Sequence, residues 1–132
     1  YTSGPCSVSQ KAAEAAYTLP QDCVETMRQA FERRRDLIVS LAKEIPGLEV
    51  NKPEGAFYLF PKCSSFFGKT DGQRTINNST DFAMYLLEVG HVATVGGDAF
   101  GDPDCFRMSY ATSDDNIKEA MSRIKNALSL LK

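Results

Sequence analysis

The sequence has few of the residues that metal centres and hydrolytic sites need. It contains a single histidine, His91, and its four cysteines never form a closely spaced pair. Structural zinc sites use paired cysteines or histidines, and a hydrolytic triad needs a base beside its nucleophile. We therefore expect no metal site, and we interpret His91 as a surface or strand-edge residue. The cysteines are expected to be reduced thiols, at positions Cys6, Cys23, Cys63 and Cys105.

Long apolar runs and an excess of one charge are also missing. No stretch approaches the roughly 18 apolar residues of a membrane-spanning helix, and no secretory signal is recognisable. The net charge of −2 gives no broad basic field, so neither nucleic acid nor an anionic membrane is an expected partner. These features predict a cytoplasmic protein. The chain begins at Tyr1 rather than a methionine, which we interpret as a piece of a longer protein.

The composition allows one compact domain, since 42% of the 132 residues are hydrophobic and 24% are charged. Apolar residues recur at helical spacing in four stretches, which predicts helices over residues 7–17, 21–44, 81–89 and 114–131. In the second, the apolar stripe runs from Val24 through Met27 to Ile45. Either Ser79 or Thr80 should cap the third helix, and Ser113 the fourth.

The remaining apolar segments are short and rich in β-forming residues. They predict strands over residues 48–50, 56–60, 91–95 and 105–111, whereas residues 64–79 read as an exposed loop. We therefore predict an α+β fold in two layers, with a small, mainly antiparallel sheet. The helices over residues 21–44 and 114–131 should cover one face of the sheet, because each has an apolar stripe to bury.

Two segments could in principle bind an anion. The run from Arg33 to Arg35 lies between Glu32 and Asp36 on a predicted helix, which favours a solvated face of ion pairs. Residues 96–101 are glycine-rich but have no lysine and no Ser/Thr of a phosphate-binding loop, and they join two strands instead of opening a helix. We interpret them as a tight turn that holds Phe100 in place.

Arg107 is the strongest candidate for a functional residue. Strand periodicity places Phe106, Met108 and Tyr110 on one face, and Arg107 on the other with two small residues. A guanidinium in that setting can bind a carboxylate through two parallel hydrogen bonds. An arginine on the open face of an antiparallel sheet explains the pattern equally well. The pattern alone leaves both possibilities open.

Several segments, in order along nearly the whole chain, resemble the class I/II aminotransferases. These are fold-type-I enzymes that depend on pyridoxal 5'-phosphate, and the resemblance is to the aspartate aminotransferase type. The matching segments are residues 1–5 with 7–10, the set Met27, Phe31, Arg34, Arg35 and Asp36, residues 53–58, residues 97–101, and residues 106–111. Gly96 departs from the pattern, since the family usually has proline there.

The resemblance implies that the chain is the C-terminal small domain of such an enzyme. Residues 1–19 would be an interface segment and helix, residues 20–45 the long connecting helix, and residues 46–132 the sheet with its covering helices. The substrates would be an amino acid, of aspartate or glutamate type, and a 2-oxo acid. The enzyme would be a homodimer.

The resemblance also implies roles for three residues. Arg107 would bind the substrate α-carboxylate, Phe57 would line the pocket, and Ser3 would lie near the phosphate of the cofactor bound to the partner subunit. No catalytic residue is expected in this chain, because the lysine that binds pyridoxal phosphate covalently belongs to the large domain. The chain alone should therefore be inactive.

Two alternatives remain at this point. One is another fold-type-I enzyme, such as an alanine, aromatic or kynurenine aminotransferase or a lyase, which would keep the same arginine. The other is a stand-alone α+β module that binds small acids through Arg107. A cofactor-binding lysine in the full-length protein would distinguish the two.

Overall fold

The computed structural model describes residues 4–132 and contains, within them, four α-helices. They are α1 (Ser7–Thr18), α2 (Asp22–Lys43), α3 (Ser79–Glu88) and α4 (Asp114–Leu128). Helix α2 has Asp22 and Glu25 in its first turn and Lys43 in its last. These charges interact favourably with the helix dipole and stabilise the helix. All four helices agree closely with the predicted positions, apart from a later predicted end for α4.

The caps explain where α3 and α4 begin. The Ser113 side chain accepts a hydrogen bond from the Asn116 amide, as predicted for α4. For α3 the predicted cap was wrong, because Asn78 caps the helix by accepting from the Asp81 amide at 2.8 Å. Ser79 lies one residue inside the helix, and its hydroxyl donates to Asp98 instead.

The sheet has three short antiparallel strands in the described residues. They are β1 (Tyr58–Leu59), β2 (Val95–Gly96) and β3 (Phe106–Ser109), with β3 in the centre. Tyr58 pairs with Ser109, and Val95 pairs with Arg107. This confirms the predicted α+β class and antiparallel sheet. The predicted strand at residues 48–50 is reduced to one isolated bridge between Glu49 and Lys62.

Two strand predictions were too long for a local reason. His91 has φ 53°, in the left-handed region, so the segment after α3 turns instead of extending. The Val92 amide then donates back to the Leu86 carbonyl, and β2 begins only at Val95. Ala56 likewise has φ 57°, which delays the start of β1 to Tyr58.

The core contains residues from the sheet and from helices α2, α3 and α4. Its members include Leu59 from β1, Phe106 and Met108 from β3, and residues of these helices. The apolar stripe of α4 is buried along its length, at Ile117, Met121, Ile124, Leu128 and, just beyond the helix, Leu131. The two predicted covering helices therefore share one core with the sheet.

The segment over residues 64–79 is not the fully exposed loop that we predicted. It contains a short 3-10 helix, Ser64–Phe66, and a bridge between Thr70 and Thr75. Phe66 and Ile76 are buried in the core. Because most of the segment is polar, its composition gave no indication that these two apolar residues are buried.

The chain divides into two compact units, Tyr1–Ala30 and Phe31–Lys132. Among the described residues of the first unit, none is fully buried. Val24 and Met27 are 50% and 54% exposed, so the prediction that the whole stripe of α2 is buried was wrong. Within residues 4–30 there is no buried core that could cover them.

Cys6 and Cys23 are exposed free thiols, whereas Cys63 and Cys105 are buried free thiols. No helix within residues 4–132 has the length and apolar character needed to cross a membrane.

Candidate functional site

Arg107 lies on the face of β3 that points away from the core. Its neighbours Phe106 and Met108 are buried, and so is Tyr110 just beyond the strand. Because successive side chains of a strand point to opposite faces, Arg107 and Ser109 share the other face. Arg107 is half-buried and Ser109 is exposed. The predicted division of this strand into two faces is confirmed.

The guanidinium of Arg107 contacts the faces of two aromatic rings. Its central carbon is 4.3 Å from the centroid of the Tyr58 ring and 4.1 Å from that of Phe100. Both distances fall well inside the roughly 6 Å over which a cation is attracted to a ring face. Tyr58 belongs to β1, and Phe100 ends the 3-10 helix Gly97–Phe100 between β2 and β3. Two separate segments therefore hold one arginine.

Arg107 differs from the other arginines of the described chain in having no carboxylate partner there. Arg33 lies 3.0 Å from Asp114, and Arg123 lies 2.7 Å from Glu119. The predicted ion-paired face at Arg33–Arg35 is present, since Arg35 also pairs with Asp36. A half-buried guanidinium with rings against it and no internal counter-ion is suited to binding an external carboxylate.

The glycine-rich segment forms a tight turn whose backbone groups are already used. The Gly97 amide donates to the Cys105 carbonyl at 2.8 Å and to the buried Ser79 hydroxyl at 3.1 Å. An added Cβ at Gly97 would lie 2.0 Å from the Asp102 carbonyl oxygen, so only glycine fits. Asp98 accepts from the hydroxyls of Ser79 and Thr80. The turn thus anchors Phe100 to the start of α3, in agreement with the tight-turn interpretation.

Phe57 is 40% exposed. Its ring packs against Tyr58, and the Tyr58 ring in turn contacts the Arg107 guanidinium. The Phe57 ring centroid is 4.4 Å from that of Tyr58 and 6.2 Å from that of Phe31. The turn before it is secured by Tyr110, whose hydroxyl donates to the Ala56 carbonyl at 2.9 Å. Ser3, the third predicted site residue, lies outside the described residues.

Three residues that position this site were missed by the sequence reasoning: Tyr58, Ser79 and Tyr110. A signal existed for Tyr58. Leu59 is buried, so strand alternation places Tyr58 and Phe60 on the face of Arg107. The Phe60 ring indeed packs edge-on against Phe100, with centroids 6.1 Å apart. No local pattern reveals the hydroxyl bonds of Ser79 and Tyr110, because their partners are distant in sequence.

Two thiols near the turn, Cys63 and Cys105, are buried. Burial raises the pKa of the Cys63 thiol to about 12. Burial also raises the pKa of Cys105, to about 11, and the hydrogen bond from its thiol to Asp102 contributes. Only the thiolate is a good nucleophile, so both thiols are expected to react slowly at neutral pH. Within residues 4–132 no cluster of histidine, cysteine or acidic side chains could hold a metal.

The described lysines lie at the surface, where none is enclosed as a covalent anchor for pyridoxal phosphate would be. No lysine in residues 4–132 is buried. Five of them form ion pairs with carboxylates, namely Lys11, Lys52, Lys62, Lys118 and Lys125. The amides of the glycine-rich turn that bond internally are not available for a phosphate. The described side chains thus include an arginine suited to a carboxylate, and no lysine among them lies in a buried site.

Comparison with known proteins identifies the family. The family model for class I and II aminotransferases matches residues 1–124. The chain belongs to this family. A crystal structure of the aspartate aminotransferase from Rhizobium meliloti superposes with a TM-score of 0.93 and 47% sequence identity, covering 99% of this chain and 33% of that one.

Two curated aminotransferases show similar agreement. A probable aspartate/prephenate aminotransferase from Rickettsia felis is 50% identical over 127 residues, which is 96% of this chain and 31% of that protein. A bifunctional aspartate aminotransferase and glutamate/aspartate-prephenate aminotransferase from Petunia hybrida is 47% identical, covering 100% of this chain and 28% of that protein. The chain therefore spans about a third of the length of these class I and II aminotransferases.

Gly96, where this aminotransferase chain departs from the family pattern, keeps a proline-like backbone. Its φ is −60° and its ψ is 146°, values that a proline ring also allows. The Gly97 amide bonds to Cys105, so in the alternating ladder the Gly96 amide points away from β3. The φ of Gly96 would therefore suit a proline, whereas a Cβ at this position would lie 3.1 Å from the Ser79 carbonyl oxygen and from the Thr80 amide nitrogen.

Proposed function

We propose that the chain is the C-terminal small domain of a pyridoxal-phosphate-dependent aminotransferase. The full-length protein would transfer an amino group between an amino acid and a 2-oxo acid. The observation that carries this proposal is Arg107, a half-buried arginine with two aromatic rings against its guanidinium and no carboxylate partner in residues 4–132. Family membership supplies the reaction class.

Arg107 would bind the α-carboxylate that both substrates share. A planar guanidinium donates two parallel hydrogen bonds to a carboxylate, so it fixes the orientation of the substrate as well as its charge. Holding the carboxylate in one orientation aligns the bond to the α-hydrogen for reaction, which lowers the entropic part of the barrier. Phe57 and Tyr58 would exclude water from one side of this contact.

The cofactor would be held by the part of the protein outside this chain. Pyridoxal phosphate, when bound, supplies an electron sink for the substrate α-carbon. The described side chains contribute substrate binding and orientation. Ser3 would approach the cofactor phosphate from across a homodimer interface, with residues 1–5 contributing to the partner subunit's site.

The donor is proposed to be a dicarboxylic amino acid of aspartate or glutamate type. The names of the relatives from Rickettsia felis and Petunia hybrida include aspartate and prephenate, and the Petunia name also includes glutamate. A 2-oxo acid that shares the α-carboxylate would be the acceptor.

The test is a panel of amino donors and 2-oxo acid acceptors on the full-length protein with pyridoxal phosphate added. We expect aspartate or glutamate to be the preferred donor, with 2-oxoglutarate, oxaloacetate or prephenate as acceptor. Preferred turnover of alanine or an aromatic amino acid would contradict the proposed substrate class. Elimination without amino transfer would contradict the reaction and favour a lyase.

A further inference from the structure

We infer that Tyr58 and Phe100 are positioning residues that act through Arg107 by holding its guanidinium in the orientation that receives a carboxylate. This inference rests on the proposed function and adds two residues to it. The two rings are the aromatic groups, among residues 4–132, whose faces the Arg107 guanidinium contacts.

The chemistry of the contact favours this role. A guanidinium is weakly hydrated and packs well against ring faces, whereas its N–H donors project from its edge. Rings at 4.3 and 4.1 Å therefore restrict the side chain while leaving edge donors available for a ligand. A carboxylate accepts two hydrogen bonds from such an edge. Restricting the arginine before the ligand arrives reduces the entropy lost on binding.

The rings are themselves held by rigid neighbours. Tyr58 pairs with Ser109, two residues from Arg107, which places its ring diagonally beside the arginine on the same sheet face. Phe100 is fixed by the turn that Gly97 and Asp98 connect to Ser79. Each of the two rings also packs against a further ring, since Phe57 contacts Tyr58 and Phe60 contacts Phe100.

Loss of either ring should weaken the binding of ligands that have a carboxylate and leave ligands without one little affected. Replacing a ring by leucine keeps apolar bulk but removes the attraction between ring and cation. For Tyr58→Leu or Phe100→Leu we expect the dissociation constant for a carboxylate ligand to rise about five- to thirty-fold. Tyr58→Phe and Phe100→Tyr retain a ring and should recover most of the affinity. Phe67→Leu replaces a half-buried ring that is not one of the two against the Arg107 guanidinium, and it serves as the matched control.

The experiment uses the full-length protein with cofactor and has two measurements. Calorimetric titration with succinate, an unreactive dicarboxylate, reports binding without turnover. Steady-state kinetics then compare an amino acid donor with a simple amine that has no carboxylate. We expect the leucine variants to weaken succinate binding and raise the KM for the amino acid, with little change in the rate of the amine. The double variant Tyr58→Leu/Arg107→Ala should be no weaker than Arg107→Ala alone.

The outcomes separate this inference from the proposed function. An active aminotransferase in which both leucine variants bind succinate like the parent would overturn the positioning role and leave the proposed function standing. Equal losses for the amino acid and the amine would also overturn it, because they would indicate a general packing defect. Succinate binding that is indifferent to Arg107→Ala would overturn this inference and the proposed carboxylate role of Arg107, whereas the reaction itself is tested by the panel of donors and acceptors.

Discussion

Replacing Gly97 by alanine tests the turn that carries Phe100. A Cβ at this position would lie 2.0 Å from the Asp102 carbonyl oxygen and 2.3 Å from the Cys105 carbonyl oxygen. Both are backbone atoms on the other side of the turn, so the clash cannot be relieved by rotating a side chain. Relief requires opening the hydrogen bond from the Gly97 amide to Cys105, and we expect a loss of about 3 kcal/mol or more in unfolding free energy.

Gly101→Ala is the matched control in the same turn. Nothing lies within 4 Å of the Cβ that alanine would add there, but φ is 83°. Only the cost of a left-handed alanine remains, about 1 kcal/mol. Urea unfolding of the chain, followed by circular dichroism, measures both variants. With a slope near 2 kcal/mol per molar urea, the midpoint should fall by about 1.5 M for Gly97→Ala and about 0.5 M for Gly101→Ala. Equal losses, or a smaller loss at Gly97, would refute the steric account.

Three further outcomes follow from the described side chains. A thiol reagent added to the native chain at neutral pH should modify the exposed Cys6 and Cys23 rapidly. The buried Cys63 and Cys105 should react only after unfolding, and four equal rates would contradict their burial. The hydrogen bond from Arg33 lowers the pKa of Asp114, so the contribution of this pair is present at neutral pH and is lost as the pH falls through the lowered pKa. Unfolding measured at neutral and acid pH should therefore show less acid destabilisation in Asp114→Asn, and an unchanged difference would contradict the coupling. Tyr110→Phe should cost about 1 kcal/mol in urea unfolding by removing the bond to the Ala56 carbonyl, and a cost near zero would show that this bond does not secure the turn.

The helices were predictable from sequence because their signals are local. The stripe of α4 repeats at helical spacing, and Ser113 marks its start, so both the helix and its buried face follow from the pattern. The cap of α3 was harder. Asn78, Ser79 and Thr80 are all good caps by residue type. The choice depends on Asp98, which is distant in sequence and draws the Ser79 hydroxyl into another bond.

The strands were predicted less well because left-handed residues interrupt apolar runs. His91 and Ala56 adopt positive φ although neither is a glycine; each follows one, Gly90 and Gly55, whose own φ is not positive. The exposure of Val24 and Met27 was not predicted either. Helical periodicity shows that α2 has an apolar stripe, but it does not show which residues, if any, pack against that stripe.

Only part of the candidate site could be predicted from the sequence, namely the face of the strand on which Arg107 lies. Strand alternation placed Arg107 opposite the core, which the structure confirms, but it could not distinguish a ligand-binding arginine from an ordinary surface one. The contacts with Tyr58 and Phe100 and the missing carboxylate partner are tertiary facts about the described residues. They favour ligand binding.

The central claim is tested most directly by kinetics of Arg107→Lys in the full-length protein. Lysine keeps the charge but loses the planar pair of donors. Hydrogen bonds to charged groups contribute roughly 1.5–3 kcal/mol each, so losing the pair should cost about 3 kcal/mol or more in transition-state binding. Arg123→Lys, on the outer face of α4, is the matched control. We expect kcat/KM to fall about a hundredfold or more for Arg107→Lys, with normal cofactor absorbance and an unaffected control. A value within about threefold of the parent would show that Arg107 is an ordinary arginine on the surface of the sheet.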